Sequence, residues 1–228
     1  MKQVTGGACK EIKGILRITY FKKMIFLMLG NMIVYFGFCL AIKAAVGLGP
    51  WDAMSLAVSN MTGIKVGTIS ILFNSACILG QLLMERRNFK LIELLQFFNV
   101  FLGGIVLNFF VYILFANVYI ASYPLRIFTS IVGYIIVALG VMIIMETQFV
   151  RTPLEGLCHI LADRYGRPLG RLRQTADIGF IITIVIFTFL FKTELTIREG
   201  TVICMLIFGP VLDLFKNPLR KVMDRLSV

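Results

Sequence analysis

An all-α integral membrane fold is the class this sequence predicts, and three observations predict it. First, 58% of the 228 residues are hydrophobic and only 15% are charged, with a mean hydropathy of +0.88. A soluble domain is about 45–50% apolar and about 25% charged, so there is too little polar surface here to wrap a water-soluble core. Second, apolar runs at 24–46, 68–84, 91–115, 126–149, 174–191 and 199–215 come near the ~17–25 residues that carry a helix across ~30 Å of hydrocarbon. Third, glycines and prolines recur in register in the two halves of the chain. The prediction is six transmembrane helices arranged as two inverted three-helix repeats. Each repeat holds a short amphipathic or re-entrant helix between its first two spans.

The elements follow in order. Residues 1–23 are a basic segment that runs into the first apolar stretch. A secretory signal has an apolar core of only ~7–15 residues, so 24–46 reads as an uncleaved span. Repeat one covers 24–115 and repeat two 126–215, with a basic tail at 216–228. The joints are marked by Glu85-Arg86-Arg87-Asn88, by Asn117, Ser122 and Pro124, and by Lys192-Thr193-Glu194. With the N-terminus placed in the cytoplasm, only Lys43, Lys65, Arg126, Lys192 and Arg198 of the 23 Lys and Arg fall outside or near outer span ends. Such cytoplasmic excess sets membrane orientation, and it predicts both termini inside. The net charge of +11 is therefore an orientation signal, and no nucleic-acid partner is expected.

The repeat is legible at one constant spacing. Gly30, Ile33, Val34 and Gly37 fall on Gly133, Ile136, Val137 and Gly140; Pro50 falls on Pro153, Asp52 on Glu155, Gly63 on Gly166 and Gly67 on Gly170. With two residues inserted, Gly104 to Phe110 falls on Gly209 to Phe215. Three spans per copy is an odd number, so the second copy enters the membrane from the opposite side, which is an inverted-topology repeat. Gly30, Gly37, Gly133, Gly140, Gly104 and Gly209 are read as points of close helix packing.

Two short helices are predicted at 50–62 and 153–165. Thr152-Pro153-Leu154-Glu155 has the order of a capping box with Pro at N1, and Gly49-Pro50-Trp51-Asp52 keeps Pro at N1 with an acid at N3. Gly63 and Gly166 stand where a helix C-cap needs them. Trp51, Met54, Val58 and Met61 form one face, opposite Asp52, Ser55 and Ser59. In the other copy Leu154, Leu157 and Leu161 oppose Glu155, Cys158 and Ala162. Thirteen residues span roughly 20 Å, too little to cross. Two placements are open: flat at the interface with the apolar face in the acyl boundary, or re-entrant with the polar face on a cavity.

An ionisable side chain at the bilayer centre costs about 2.5–3.5 kcal/mol on the insertion scale, which makes each one a functional candidate. The substrate-binding candidates are Asp52, Asn74, Glu155, Asp177, Asn108 and Asp213, because the repeat pairs Asn74 with Asp177 and Asn108 with Asp213. Against this, Arg173 and Asp177 stand four residues apart and can form a simple helix-surface pair, and Asn side chains can serve as interhelical hydrogen-bond partners. The five cysteines lack metal-ligand or disulfide spacing, one His cannot build a His cluster, and H-E-x-x-H, Walker A, G-x-S-x-G and G-x-G-x-x-G are absent. Neither an enzyme, nor a cofactor, nor a metal site is expected.

Gly47-Leu48-Gly49-Pro50-Trp51-Asp52, followed by Thr62-Gly63-x-x-x-Gly67-Thr68, resembles the hallmark stretch of the YczE/YitT-type bacterial multi-pass membrane proteins, on the YczE side. Thr152, Pro153, Gly166 and Gly170 repeat the punctuation in the second half. The resemblance covers nearly all of the chain after residue 23. It implies a bacterial cytoplasmic-membrane protein and brings no substrate or catalytic residue with it. The expectation is a small-solute transporter or permease in the lipid bilayer, with its site at the repeat interface. The alternatives are a substrate-capture subunit on an energising membrane partner, as in energy-coupling-factor importers, or a non-transporting scaffold or assembly factor. Small size points to a homodimer.

Overall fold

The computed structural model describes residues 4–86, 91–147 and 152–225, with backbone alone at 4–20, 91–92, 209, 213, 216–217 and 222–225. Lys2, Arg87, Lys90 and Arg151 of the charge argument lie outside the described residues, as does the end of the basic tail. The described chain is helical: α1 Val4–Ala44, α2 Pro50–Thr62, α3 Val66–Glu85, α4 Leu95–Phe109, α5 Tyr123–Thr147, α6 Pro153–Tyr165, α7 Leu169–Phe191 and α8 Glu199–Arg225. A 3-10 turn at Leu91–Leu94 leads into α4, and a π-helical turn at Phe110–Leu114 ends it.

Five of these helical stretches are long and apolar enough to cross a membrane: Phe21–Ala44, Val66–Glu85, Leu95–Leu114, Tyr123–Thr147 and Leu169–Phe191. The sequence predicts a sixth at 199–215, but the apolar part of α8 ends at Leu212. Asp213 and Lys216 follow, and Pro210 and Pro218 lie within the helix. At ~1.5 Å per residue that described apolar part is shorter than the ~30 Å hydrocarbon layer, while α8 as a whole runs on to Arg225. Buried residues are the minority in each span, and large apolar side chains such as Phe101, Ile105, Phe128 and Phe189 face outward, as a lipid-facing surface requires. This is a multi-pass membrane protein.

The core is a crossing of α1 and α5. A Cβ on Gly37 would stand 2.6 Å from the Gly133 carbonyl oxygen, and one on Gly140 would stand 2.8 Å from that of Gly30. In lipid no hydrophobic force joins two helices, so backbone approach through small residues supplies the contact. The pairing is reciprocal: Gly30 meets Gly140, and Gly133, at the equivalent of Gly30, meets Gly37. Around this axis α4 packs on α1 and α8 on α5, while α2 lies between α3 and α7 and α6 lies between the same two helices. α4 also packs closely on α3, where Gly67 meets the backbone of Gly104. Among the described residues α7 and α8 have no comparable contact, and the Cβ direction of Gly170 opens on empty space.

Candidate functional site

The chain between α1 and α2 is irregular and tied down atom by atom. Gly47 has φ +108°, and a Cβ there would stand 2.6 Å from the Arg198 amide, so glycine is required. The carbonyls freed by the break find donors: Tyr134 Oη donates to Gly47 O at 3.2 Å and Thr201 Oγ1 to Leu48 O at 2.7 Å, while Thr196 Oγ1 donates to Ala53 O in the first turn of α2 at 3.0 Å. The Gly200 amide donates to Val46 O at 2.7 Å. Within a membrane, irregular backbone persists where protein satisfies it or where it lines a cavity. Pro50 and Pro153 take the first helical position, and Gly63 and Gly166 close the two helices with φ +72° and +60°. The capping box does not form. Thr152 is the N-cap but makes no side-chain cap bond, and Glu155 is exposed, because its position on the first turn faces away from the bundle.

The first turns of the two short helices come together. Trp51 packs edge-on against Phe180 at 5.1 Å and against Phe73 at 5.9 Å. Phe180 is the central residue of α7. Trp51 and Phe180 both pack on a buried cluster of Cys77, Leu154 and Cys158, which brings the start of α6 to the same place. On that side Gln81 Nε2 donates to Pro153 O at 2.7 Å and pairs with Gln96, and Gly156 leaves room for Gln81. Gln81, Gln96, Tyr134, Thr196 and Thr201 are not among the candidates the sequence gives. Their signal is absent from periodicity because each bonds a group on another segment.

The serine stripe of α2 faces inward, and in α6 Cys158 and Ala162 face inward together with Leu154 while Glu155 is exposed. Ser55 and Ser59 are 3% and 6% exposed, while Trp51, Met54, Val58 and Met61 are only half-buried; Cys158 and Ala162 are buried in α6. A helix lying flat on the surface would show the reverse. Asp52 follows Trp51 on the first turn and borders a cavity of about 10 Å³ with Ser55, Ser70, Phe38, Ile42, Leu48, Val66 and Leu107. Arg173 and Asp177 of α7 act on it electrostatically. They form an ion pair at 3.3 Å, and Asp177 Oδ1 is buried without a hydrogen-bond donor among the described residues. Burial pushes the Asp52 carboxyl up to about 7, with the Arg173 guanidinium pulling it down and Asp177 pushing it further up.

The predicted site residues separate into groups. Asp177 pairs with Arg173, and Asp52 lies within electrostatic reach of both. Asn74 reaches the same place through Ser70, donating to its carbonyl at 2.8 Å and its hydroxyl at 3.2 Å. Asn108 instead caps α3: its Oδ1 accepts from the Gly67 amide at 2.9 Å and its Nδ2 donates to Thr68 Oγ1 at 3.2 Å. Beside it the Tyr112 hydroxyl, carried on the π-helical turn, accepts from the Val66 amide at 3.1 Å. Lys65 at the N-cap has no oxygen to offer, so α4 supplies the caps. Glu155 stands apart on the surface. The side chain of Asp213 lies outside those described, as does any side-chain surrounding of Gly209.

Comparison with known proteins places this geometry in a family. A family model, DUF6198, described as a family of unknown function, matches residues 21–217. The chain belongs to the DUF6198 family. Among Bacillus subtilis proteins, this DUF6198 chain is similar to the uncharacterised protein YyaS, with 24% identity over 187 residues, covering 82% of this chain and 89% of YyaS. It is also similar to the uncharacterised membrane protein YczE, with 28% identity over 138 residues, covering 60% and 61% of the two chains. The resemblance carried by Gly47 to Asp52 is thereby supported across the chain. No solved structure matches it at a significant level.

Proposed function

We propose that this protein carries a small solute across the bacterial cytoplasmic membrane through a site where its two halves meet. In this reading the halves are inverted repeats of three crossings each, 24–115 and 126–215, with α8 completing the sixth and both termini in the cytoplasm. One observation carries it: the first turns of α2 and α6 meet halfway along α7, beside Asp52, Arg173 and Asp177. Broken helices whose ends meet near the bilayer midplane at a repeat interface are how many secondary transporters hold their cargo. The reciprocal glycine crossing supports a two-fold relation between the halves, since residue and partner exchange roles across it. The inward serine stripe of α2 supports the re-entrant placement over the interfacial one.

The arrangement also differs between its two ends. The segment before α2 is hydrogen-bonded to the start of α8, closing one side. At the other end an open cleft of about 610 Å³ lies between the last turns of α3 and α6, lined by Glu85, Arg86, Asp163 and Arg164. By the charge distribution that end faces the cytoplasm. In this reading a closed outer side and an open cytoplasmic cleft are one half of an alternating-access cycle, with the cleft separate from the cavity beside Asp52.

The test is flux into proteoliposomes, screening amino acids, small carboxylates and sugars under imposed pH and sodium gradients. At least one solute should be carried above the background of empty vesicles, and Asp52→Asn should reduce that flux at least tenfold. Background flux for every solute overturns the reading. A second reading, a capture subunit seated on an energising membrane partner, draws on α7, where Ile184 is the one buried residue. Co-purification with an ATPase module and tight solute binding without flux would select it.

A further inference from the structure

Three of the cations that the sequence leaves on the outer side, Lys43, Lys65 and Arg126, converge on one short stretch of chain. They come from different elements: the last turn of α1, the N-cap of α3 and the start of α5. Lys43 Nζ donates to Ala116 O at 3.4 Å. Lys65 Nζ stands 5.8 Å from the centre of the Tyr112 ring. The π-helical turn Phe110–Leu114 carries that ring, and its hydroxyl accepts from the Val66 amide. Arg126 lies over the Tyr119 ring at 5.3 Å. It donates from Nε to Ile120 O at 2.6 Å and from Nη2 to the Tyr119 hydroxyl at 3.0 Å.

These contacts hold the cations without neutralising them. A carbonyl or a ring brings no net charge, and none of the three is paired with a carboxylate among the described residues. The chain has no Asp or Glu between Asp52 and Glu85, nor between Glu93 and Glu146. The acids of that side, Glu194 and Glu199, belong to the joint between α7 and α8, where Glu199 faces Arg198 at 3.7 Å. Next to the cations, Ile113, Leu114, Leu125 and Phe128 turn large apolar side chains outward, and Tyr119 is 79% exposed. Cations and tyrosines at the edge of an apolar belt mark the depth of phospholipid headgroups.

We infer that Lys43, Lys65 and Arg126, gathered on residues 112–120, form a binding surface for an anionic phospholipid headgroup. Charge complementarity selects the occupant. A zwitterionic headgroup brings its own cation and leaves the imbalance, whereas a phosphodiester without an ammonium offsets it. The two lysines supply point charges, and the guanidinium keeps Nη1 unpartnered among the described residues for a phosphate oxygen. The acyl chains then lie along the apolar belt, a contact that a free phosphate lacks. The surface is independent of the transport reading; only its assignment to the outer leaflet draws on that reading.

Full-length protein in detergent would be titrated with phosphatidylglycerol or phosphatidylcholine of the same acyl chains and followed by native mass spectrometry. Phosphatidylglycerol should be retained in preference. Lys43→Gln, Lys65→Gln and Arg126→Gln should each weaken its binding by about fivefold, the effect of one basic residue near an anionic surface. Phosphatidylcholine binding should stay the same in all three. Lys192→Gln, an exposed cation at another joint of that side, should bind both lipids like the wild type. Gel filtration controls for folding, and three independent variants keep the test valid should one fail to fold. Equal retention of the two lipids, single variants that bind like the wild type, or an equal loss in Lys192→Gln would overturn the inference. Displacement of the lipid by free glycerol phosphate would overturn it too. Lipid preference without flux of any solute would sink the transport reading and leave this one standing; flux with no lipid preference would do the opposite.

Discussion

At the scale of single residues, Asp52 carries the largest consequence. Its carboxyl is raised from an ordinary 3.8 to about 7, chiefly by burial. Between those values the folded protein holds a proton that the unfolded chain has released, so stability falls as pH rises through that window. Thermal unfolding in detergent should therefore show the melting temperature of the wild type dropping from about pH 4 to about pH 7 relative to Asp52→Asn. A parallel pair of curves would show that the carboxyl is not perturbed. Asn108 teaches the opposite lesson. A polar residue at a repeated intramembrane position looked like a ligand, and it is the cap that the N-terminus of α3 lacks. Sequence spacing gives depth in the membrane but not the identity of the group across the way.

At the scale of elements, the α1–α5 crossing sets the spacing of everything packed around it. Backbone touches backbone at Gly37 and Gly133, so no rotamer change can accommodate a side chain there. Gly133→Leu should destabilise by about 1–3 kcal/mol or more, the usual range for overpacking a filled site. Its readout is a lowered melting temperature with loss of the monodisperse gel-filtration peak. Gly170→Ala, within a helix and with open space at its Cβ, should show no such loss. If Gly133→Leu melted like the wild type, the crossing would not be the core. The short helices make a second point. Their bounds were visible from Pro50 with Gly63 and from Pro153 with Gly166, because proline at N1 and a left-handed C-cap are local requirements of backbone geometry. Their direction into the bundle was not, because a serine stripe reads the same whether it meets water or a cavity.

At the scale of the whole molecule, the two halves share a parts list and differ in one joint. α4 closes on α3 through Gly67 and Gly104, whereas α8 packs on α5 and leaves Gly170 open. An exact two-fold molecule could not be open on one side and closed on the other, so this difference is what a carrier of the proposed kind needs. Inverted insertion itself is testable at equivalent, exposed positions on the short helices. Single cysteines at Asn60 and Asp163 should react with a membrane-impermeant maleimide from opposite faces of the membrane, Asn60→Cys in intact cells and Asp163→Cys only after permeabilisation. Labelling of both from one face would remove the inverted repeat and, with it, the shared site.

The sequence by itself determined the solvent this protein lives in, the five long spans and the two short helices. Each of these follows from local composition or from backbone rules that act over a few residues. For the sixth span, 199–215, the described residues give only the shorter apolar helix Glu199–Leu212. Only the tertiary structure decided which polar groups meet: Gln81 with the Pro153 carbonyl, Tyr134 with the break before α2. Those partners are far apart along the chain, and their charges and hydrogen bonds depend on distances that no single segment encodes.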